Sequence, residues 1–200
     1  LRPAADDEKL LMAELLAMQL LPVQGIGHAA KTGRIETVLD LMEHRVEIPR
    51  DFSEAFRYGA YGAGRSLQVS IVRAVGLLLN MLSDWTQLEQ GDQERALEEP
   101  EAWRRFISSV EGTDFPAQRN SLLYLAHPTY FGPIIVAEDR RKVHHAFLGE
   151  IGGETSDDRD RDLLNITLAL QEKTGGPINY YSDEIVARWR DDTAAGSEGK

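Results

Sequence analysis

The chain contains no cysteine. This excludes disulfide bonds, a thiol nucleophile and Cys-based zinc or iron–sulfur sites. No apolar run approaches the roughly eighteen residues of a membrane-spanning helix, and Leu1-Arg2-Pro3 does not begin like a signal peptide. We therefore expect a soluble, cytoplasmic protein without membrane association.

Basic residues are scarce, with 22 Lys and Arg against 33 Asp and Glu, for a net charge of −11. Phosphate binding depends on clustered Lys and Arg. The only basic run is Arg140-Arg141-Lys142, directly preceded by Glu138-Asp139. Acids in the first turn and bases on the exposed face are typical of a solvated helix. The composition therefore speaks against direct nucleic-acid binding by a broad basic surface.

Strand-like alternation is also nearly absent, and apolar residues instead recur at steps of three and four along most of the chain. The longest such pattern covers residues 66–88, which we predict to be the central core helix, with Val72 and Leu79 widening its apolar stripe. We predict an all-α fold, an irregular multi-helix bundle of about seven to nine helices around helix 66–88.

The remaining predicted helices follow the same periodicity. They include 6–21 behind an Asp cap, 33–44 entered from Thr32-Gly33, 115–126, 138–149 and 158–173. We predict a single helical domain over residues 1–192, within which 157–192 could form a C-terminal subdomain, and a linker or tail over 193–200. The absence of an initiator Met indicates that the chain is part of a longer protein.

A glycine-rich segment, Gly59–Ser66, fits the phosphate-loop pattern G-x-x-x-x-G-K-[ST] except that Arg65 replaces the lysine. The planar guanidinium of arginine is a poor substitute for a flexible ammonium. The preceding residues are also helical in pattern, whereas a phosphate loop follows a buried strand. We interpret the segment as a flexible turn that opens the long helix, and a nucleotide site here remains an alternative hypothesis.

The histidines do not have metal-ligand spacing. His144 and His145 are adjacent on a predicted helix and point about 100° apart, so they cannot chelate one ion. His127 precedes Pro128 at a helix end, where its ring can bond terminal carbonyls. The acidic cluster Glu154–Asp162 is interleaved with arginines, as solvated faces usually are. We predict no catalytic, cofactor-binding or metal-ligating residue in this segment.

Three stretches together resemble a known family. They are Trp103-Arg-Arg-Phe106, the run from Arg119 through His127-Pro128-Thr-Tyr-Phe131-Gly-Pro to Ile134, and Lys142-Val-His-His-Ala-Phe147. This succession resembles the helical region before the AAA+ motor in McrB-like proteins, relatives of the 5-methylcytosine-specific restriction NTPase. Residues 160–166, 174–176, 178–181 and 187–189 continue the resemblance, which covers residues 100–190. The family usually has Ser-Arg before the basic helix, where this chain has Ala137-Glu138.

The resemblance implies a non-catalytic accessory or coupling domain of a larger NTPase in DNA restriction or phage defence. The parent protein would use ATP or GTP with Mg, and the partners would be its other domains or a nuclease subunit. The resemblance marks a structural loop at His127, Pro128, Phe131 and Pro133, and capping or salt-bridge positions at Asp114, Arg119 and Arg140.

The alternative is an autonomous helical module that binds a ligand or nucleic acid through the basic helix at 138–149. Its contact surface would consist of five residues, Arg140, Arg141, Lys142, His144 and His145.

Overall fold

A computed structural model describes residues 3–62, 71–112 and 115–190. These described residues contain ten α-helices, one 3-10 helix and a sheet of two very short strands, so the predicted all-α class is confirmed. The start of the long helix at 66–70, the end of the glycine-rich segment at 63–66, Asp114 and the predicted linker at 193–200 lie outside the described residues.

The chain divides into two compact units, one of Leu1–Ser83 with Glu111–Thr113, the other of Asp84–Val110 with Asp114–Lys200. The single domain and C-terminal subdomain expected from the sequence stay predictions. The first unit contains α1 (Asp6–Leu20), β1 (Val23–Gln24), α2 (His28–Leu39), α3 (Arg50–Ala55), β2 (Tyr61–Gly62) and most of α4 (Ile71–Gln87).

The core of the first unit lies mainly between α1 and α2, which pack against each other. Its buried members are Ala13, Leu20, Ile35, Val38, Leu39 and Phe56. A fully buried lysine, Lys31, donates to the backbone carbonyls of Leu21 at 3.0 Å and Tyr58 at 2.9 Å. Burial lowers the pKa of this ammonium group.

Two helix starts differ from the prediction. The N-cap of α1 is Ala5 rather than an aspartate, and Glu8 accepts a hydrogen bond from the Ala5 N–H at 2.8 Å. Helix α2 begins at His28 after the N-cap Gly27, so Gly33 lies inside the helix. A glycine costs only about 1 kcal/mol there, less than the packing of α2 against α1 contributes.

The glycine-rich segment begins in close contact with another strand. Tyr61–Gly62 pairs in parallel with Val23–Gln24, and a Cβ on Gly59 would lie 2.6 Å from the backbone nitrogen of Gln24. Only glycine permits this approach. In the described part of the segment, Tyr61–Gly62 is therefore a short strand and Gly59 a close backbone contact, and the turn predicted to open the long helix stays a prediction.

The longest described helix, α4, buries a narrower face than its sequence predicts. Its buried residues include Leu77, Leu78 and Met81, whereas Val72 is 86% exposed and Leu79 is 41% exposed. The prediction that Val72 and Leu79 widen the buried stripe is wrong, because both residues lie on the side of the helix opposite the buried face.

None of the described helices is long and apolar enough to cross a membrane.

The second unit contains the last turn of α4 followed by α5 (Gln90–Glu98), α6 (Pro100–Ser109), α7 (Pro116–Ala126), α8 (Ala137–Phe147), a 3-10 helix (Leu148–Ile151), α9 (Arg159–Thr174) and α10 (Asp183–Trp189). Trp85, Trp103 and Phe106 form one aromatic cluster, with ring centroids 5.4–5.8 Å apart. A second core joins α8, α9 and α10 through Ile134, Val143, Phe147, Leu163, Ile166, Leu170, Tyr180 and Trp189.

Candidate functional site

The loop between α7 and α8, residues 127–136, is a closed and well-packed turn. The carbonyl oxygen of His127 accepts hydrogen bonds from the N–H groups of Tyr130 at 3.0 Å and Phe131 at 2.9 Å. Phe131, Ile134 and Ile135 are buried. Because Pro128 disfavours helical geometry at the residue before it, α7 stops and the chain turns at His127.

The His127 side chain joins this loop to α5. Its Nε2 atom lies 3.1 Å from the carbonyl oxygen of Ala96, and the ring is buried. A carbonyl can only accept, so Nε2 carries the proton. Ala96 is in the last turn of α5, where carbonyls lack an intrahelical partner. The ring therefore binds a terminal carbonyl, as its position suggested, but the carbonyl belongs to a different helix.

Two further side chains satisfy the loop backbone. Asn120 of α7 donates to the carbonyl of Ile135 at 2.8 Å, and Arg140 of α8 donates to the carbonyl of Ile134 at 3.0 Å. Side chains of both flanking helices thus hold the loop backbone. The loop therefore has its conformation before any partner binds.

Arg140 also belongs to a partly buried ion network. Its guanidinium pairs with Asp160 of α9, and Arg104 of α6 pairs with Asp158 at 2.9 Å and with Asp160 at 3.4 Å. Burial lowers the pKa of Arg140 to about 10. The Arg104 guanidinium lies 5.3 Å from the ring centroid of Phe131, within cation–π range.

A second pair links α8 to α9. His144 Nε2 lies 2.8 Å from Asp162 Oδ2, and the Ser156 N–H donates to the same carboxylate at 3.1 Å. Burial would raise the pKa of Asp162, but the hydrogen bonds from Ser156 and His144 outweigh it and hold that pKa below its ordinary value. Asp160 and Asp162 are therefore not part of a solvated face, contrary to the sequence interpretation.

The five predicted contact residues occupy different environments. Arg140 is buried, and His144 is largely covered by its pairing with Asp162. Arg141 and His145 are exposed, and Arg141 pairs with Glu138 at 2.6 Å. Lys142 lies 4.0 Å from the same Glu138 carboxylate. The basic helix as a contact surface stays a prediction.

Arg119 occupies a capping position, as the resemblance implied. Its guanidinium donates to the carbonyls of Ile107 and Val110, the latter at 2.7 Å. These carbonyls lie at the C-terminal end of α6, where unpaired acceptors and the helix dipole favour a cation.

The α7–α8 loop forms one wall of a pocket of about 330 Å³ in the second unit. Helix α9 and the segment after it form the other wall. The lining residues are Tyr124, Pro128, Thr129, Phe131, Gly132, Pro133, Leu164, Thr167, Leu168, Gln171, Pro177 and Ile178. The volume lies at the lower end of the range of about 300–1,000 Å³ for small-molecule sites.

The described residues that line this pocket include no Asp, Glu, Lys, Arg or His. Their one titratable group is the phenol of Tyr124, and burial raises its pKa, so it stays neutral. Across the described ranges, no group of three or more His, Asp or Glu could hold a metal ion. The pocket is therefore suited to an uncharged group, since an unpaired charge there would be costly.

The sequence predicted a structural loop at this place but no pocket. Pro128, Phe131 and Pro133 were predicted as loop residues, but the α9 side, including Leu168 and Gln171, was missed. Leu168, which lies within the predicted helix 158–173, is 53% exposed. The periodicity of apolar residues predicts a helix, but it does not show which of these residues another element covers.

The chain matches no protein-family model, no curated protein and no solved structure at a significant level.

Proposed function

We propose that the second unit is an interaction module, and that the chain is a non-catalytic accessory or coupling domain of a larger McrB-like AAA+ NTPase. The observation that carries the interaction role is the preformed, uncharged pocket beside the α7–α8 loop. The residues of that loop also carry the resemblance to the McrB-like helical region. The parent protein would be cytoplasmic and would use ATP or GTP with Mg in restriction or phage defence.

The placement of charges supports protein contact over phosphate contact. The Arg140 guanidinium is directed to Asp160 and to a backbone carbonyl, so it is not available to a phosphate group. Arg141 and Lys142 share the carboxylate of Glu138. Nucleic-acid binding through this helix therefore stays the alternative, with fewer free cations than its sequence indicates.

The coding sequence downstream of Lys200 tests the proposed parent. A G-x-x-x-x-G-K-[ST] motif after a predicted strand supports the AAA+ assignment, and a native chain without such a motif contradicts it. Calorimetric titration of this chain with ATP or GTP and Mg should show no saturable heat. Saturable nucleotide binding would instead favour the hypothesis of a nucleotide site at Gly59–Ser66.

A further inference from the structure

The pocket has rigid walls. Three of its lining residues are prolines, Pro128, Pro133 and Pro177, whose backbone φ is fixed by the ring. The α7–α8 loop is closed by the His127 carbonyl, and its backbone is held by Asn120 and Arg140. An occupant therefore meets a preformed surface and does not bear the cost of ordering it.

The two polar side chains on the α9 wall, Thr167 and Gln171, differ in the hydrogen-bonding capacity that they leave free. The Thr167 hydroxyl donates to the Leu163 carbonyl and lies 2.7 Å from the Tyr180 hydroxyl, so its hydrogen-bonding capacity is used internally. The Gln171 carboxamide makes no hydrogen bond with any residue that the structure describes. It therefore offers one donor group and one acceptor, which matches the N–H and C=O of a peptide backbone.

Beside the pocket, helix α9 carries an exposed apolar side chain and a negative charge. Leu168 is 53% exposed, and Glu172, four residues later on α9, is also exposed. Residues four apart lie on one face of a helix. Within the described parts of the chain Glu172 has no ion-pair partner, whereas its neighbour Lys173 pairs with Glu150. A partner with a cation next to an apolar side chain is complementary to this arrangement.

We propose that the pocket binds a short segment of a partner protein through one large apolar side chain, with a basic residue beside it facing Glu172. This inference rests on the proposed interaction role and adds the chemistry of the partner. The Gln171 carboxamide bonds the main chain of the segment. The net charge of −11 on this chain favours the approach of a basic segment.

Three blocked pentapeptides test the proposal by NMR titration of the ¹⁵N-labelled 200-residue chain. The first has leucine at its centre, lysine at both ends and glycine between. The second replaces the leucine by serine, and the third replaces both lysines by glutamate. We expect the leucine–lysine peptide to shift the amide signals of pocket residues, with binding roughly tenfold weaker for the serine peptide. The glutamate peptide should bind severalfold more weakly, and salt should reduce this difference.

A matched pair of glycine variants locates the binding. Gly132 lines the pocket, and a Cβ on it meets no atom within 4 Å, so Gly132→Leu should add a bulky side chain at the pocket wall without a backbone clash. Gly91 in α5 is equally open and lies outside the lining. We expect Gly132→Leu to abolish the shifts and Gly91→Leu to preserve them. If Gly132→Leu misfolds, Leu168→Gln replaces it, because that exposed side chain contributes little to the core.

Several results would overturn the proposal. These are equal binding of the leucine and serine peptides, no binding of either, or unchanged binding in folded Gly132→Leu. Shifts of the same signals by free cytidine, without any by the leucine peptide, would assign the pocket to a small molecule instead. If none of the peptides binds, the search for a phosphate-loop motif after Lys200 is unaffected. The proposed partner segment and the proposed AAA+ parent can therefore fail separately.

Discussion

A carboxylate oxygen of Asp6 accepts a hydrogen bond of 2.8 Å from the backbone N–H of His44. The other oxygen accepts from the N–H of Glu43 at 2.9 Å. These two backbone bonds lower the pKa of Asp6 from 3.8 to about 2. The first residue of α1 thereby ties down the chain that follows α2.

This contact predicts a pH dependence of stability. A carboxylate with a lowered folded-state pKa contributes stability above its unfolded pKa, and the contribution is lost as the pH falls from about 3.8 towards 2. Asp6→Asn should therefore lower the melting temperature at pH 7, and the difference from wild type should shrink below pH 3.8. Asp7→Asn is the control, because Asp7 makes no such contact within the described residues. Equal effects of the two variants at pH 7 would contradict this account.

The bond from His127 to the Ala96 carbonyl predicts a stability change. His127→Phe keeps an aromatic ring but removes the donor, leaving a buried terminal carbonyl without its partner. We expect a loss of about 1–3 kcal/mol in the free energy of unfolding, measured by urea denaturation. His145→Phe, at an exposed position on α8, should change it by less than about 0.5 kcal/mol. A His127→Phe variant as stable as wild type would remove the proposed link between the loop and α5.

Two consecutive arginines should respond very differently to the same substitution. Arg140→Met leaves Asp160 partly buried without its nearest cation, and we expect destabilisation by about 2–4 kcal/mol. Arg141→Met breaks only an exposed pair with Glu138, and we expect less than about 1 kcal/mol. Urea denaturation at neutral pH measures both values. Similar values for the two variants would show that Arg140 is not held in the network.

The nucleic-acid alternative is tested by reversing the charges of the exposed Arg141 and the partly buried Lys142 on α8. Arg141→Glu with Lys142→Glu leaves the buried Arg140 in place, so the fold should be retained. We expect wild type to show no salt-dependent binding to a fluorescent DNA duplex in anisotropy titrations. Binding that weakens with salt and disappears in the double variant would favour the alternative over the accessory-domain proposal.

The sequence by itself determined the helices and therefore the all-α class. Helical hydrogen bonds join residues four apart, so the signal that forms a helix is contained in its own segment. The periodicity of Ile35, Val38 and Leu39 predicted a helix that the structure contains, although both predicted ends, 33 and 44, were wrong, because the helix runs from His28 to Leu39. The lack of cysteine equally excluded thiol chemistry, because a side chain that is absent cannot be supplied by folding.

Only the tertiary structure decided which polar groups are paired and where the pocket lies. Asp160 and Asp162 looked like parts of a solvated face because their partners, Arg140 and His144, lie on another helix. The pocket likewise forms only where the α7–α8 loop packs beside α9. The local sequence around Leu168 and Gln171 does not predict this contact. Contacts between distant segments depend on how whole helices pack, which is a property of the folded chain rather than of any one segment.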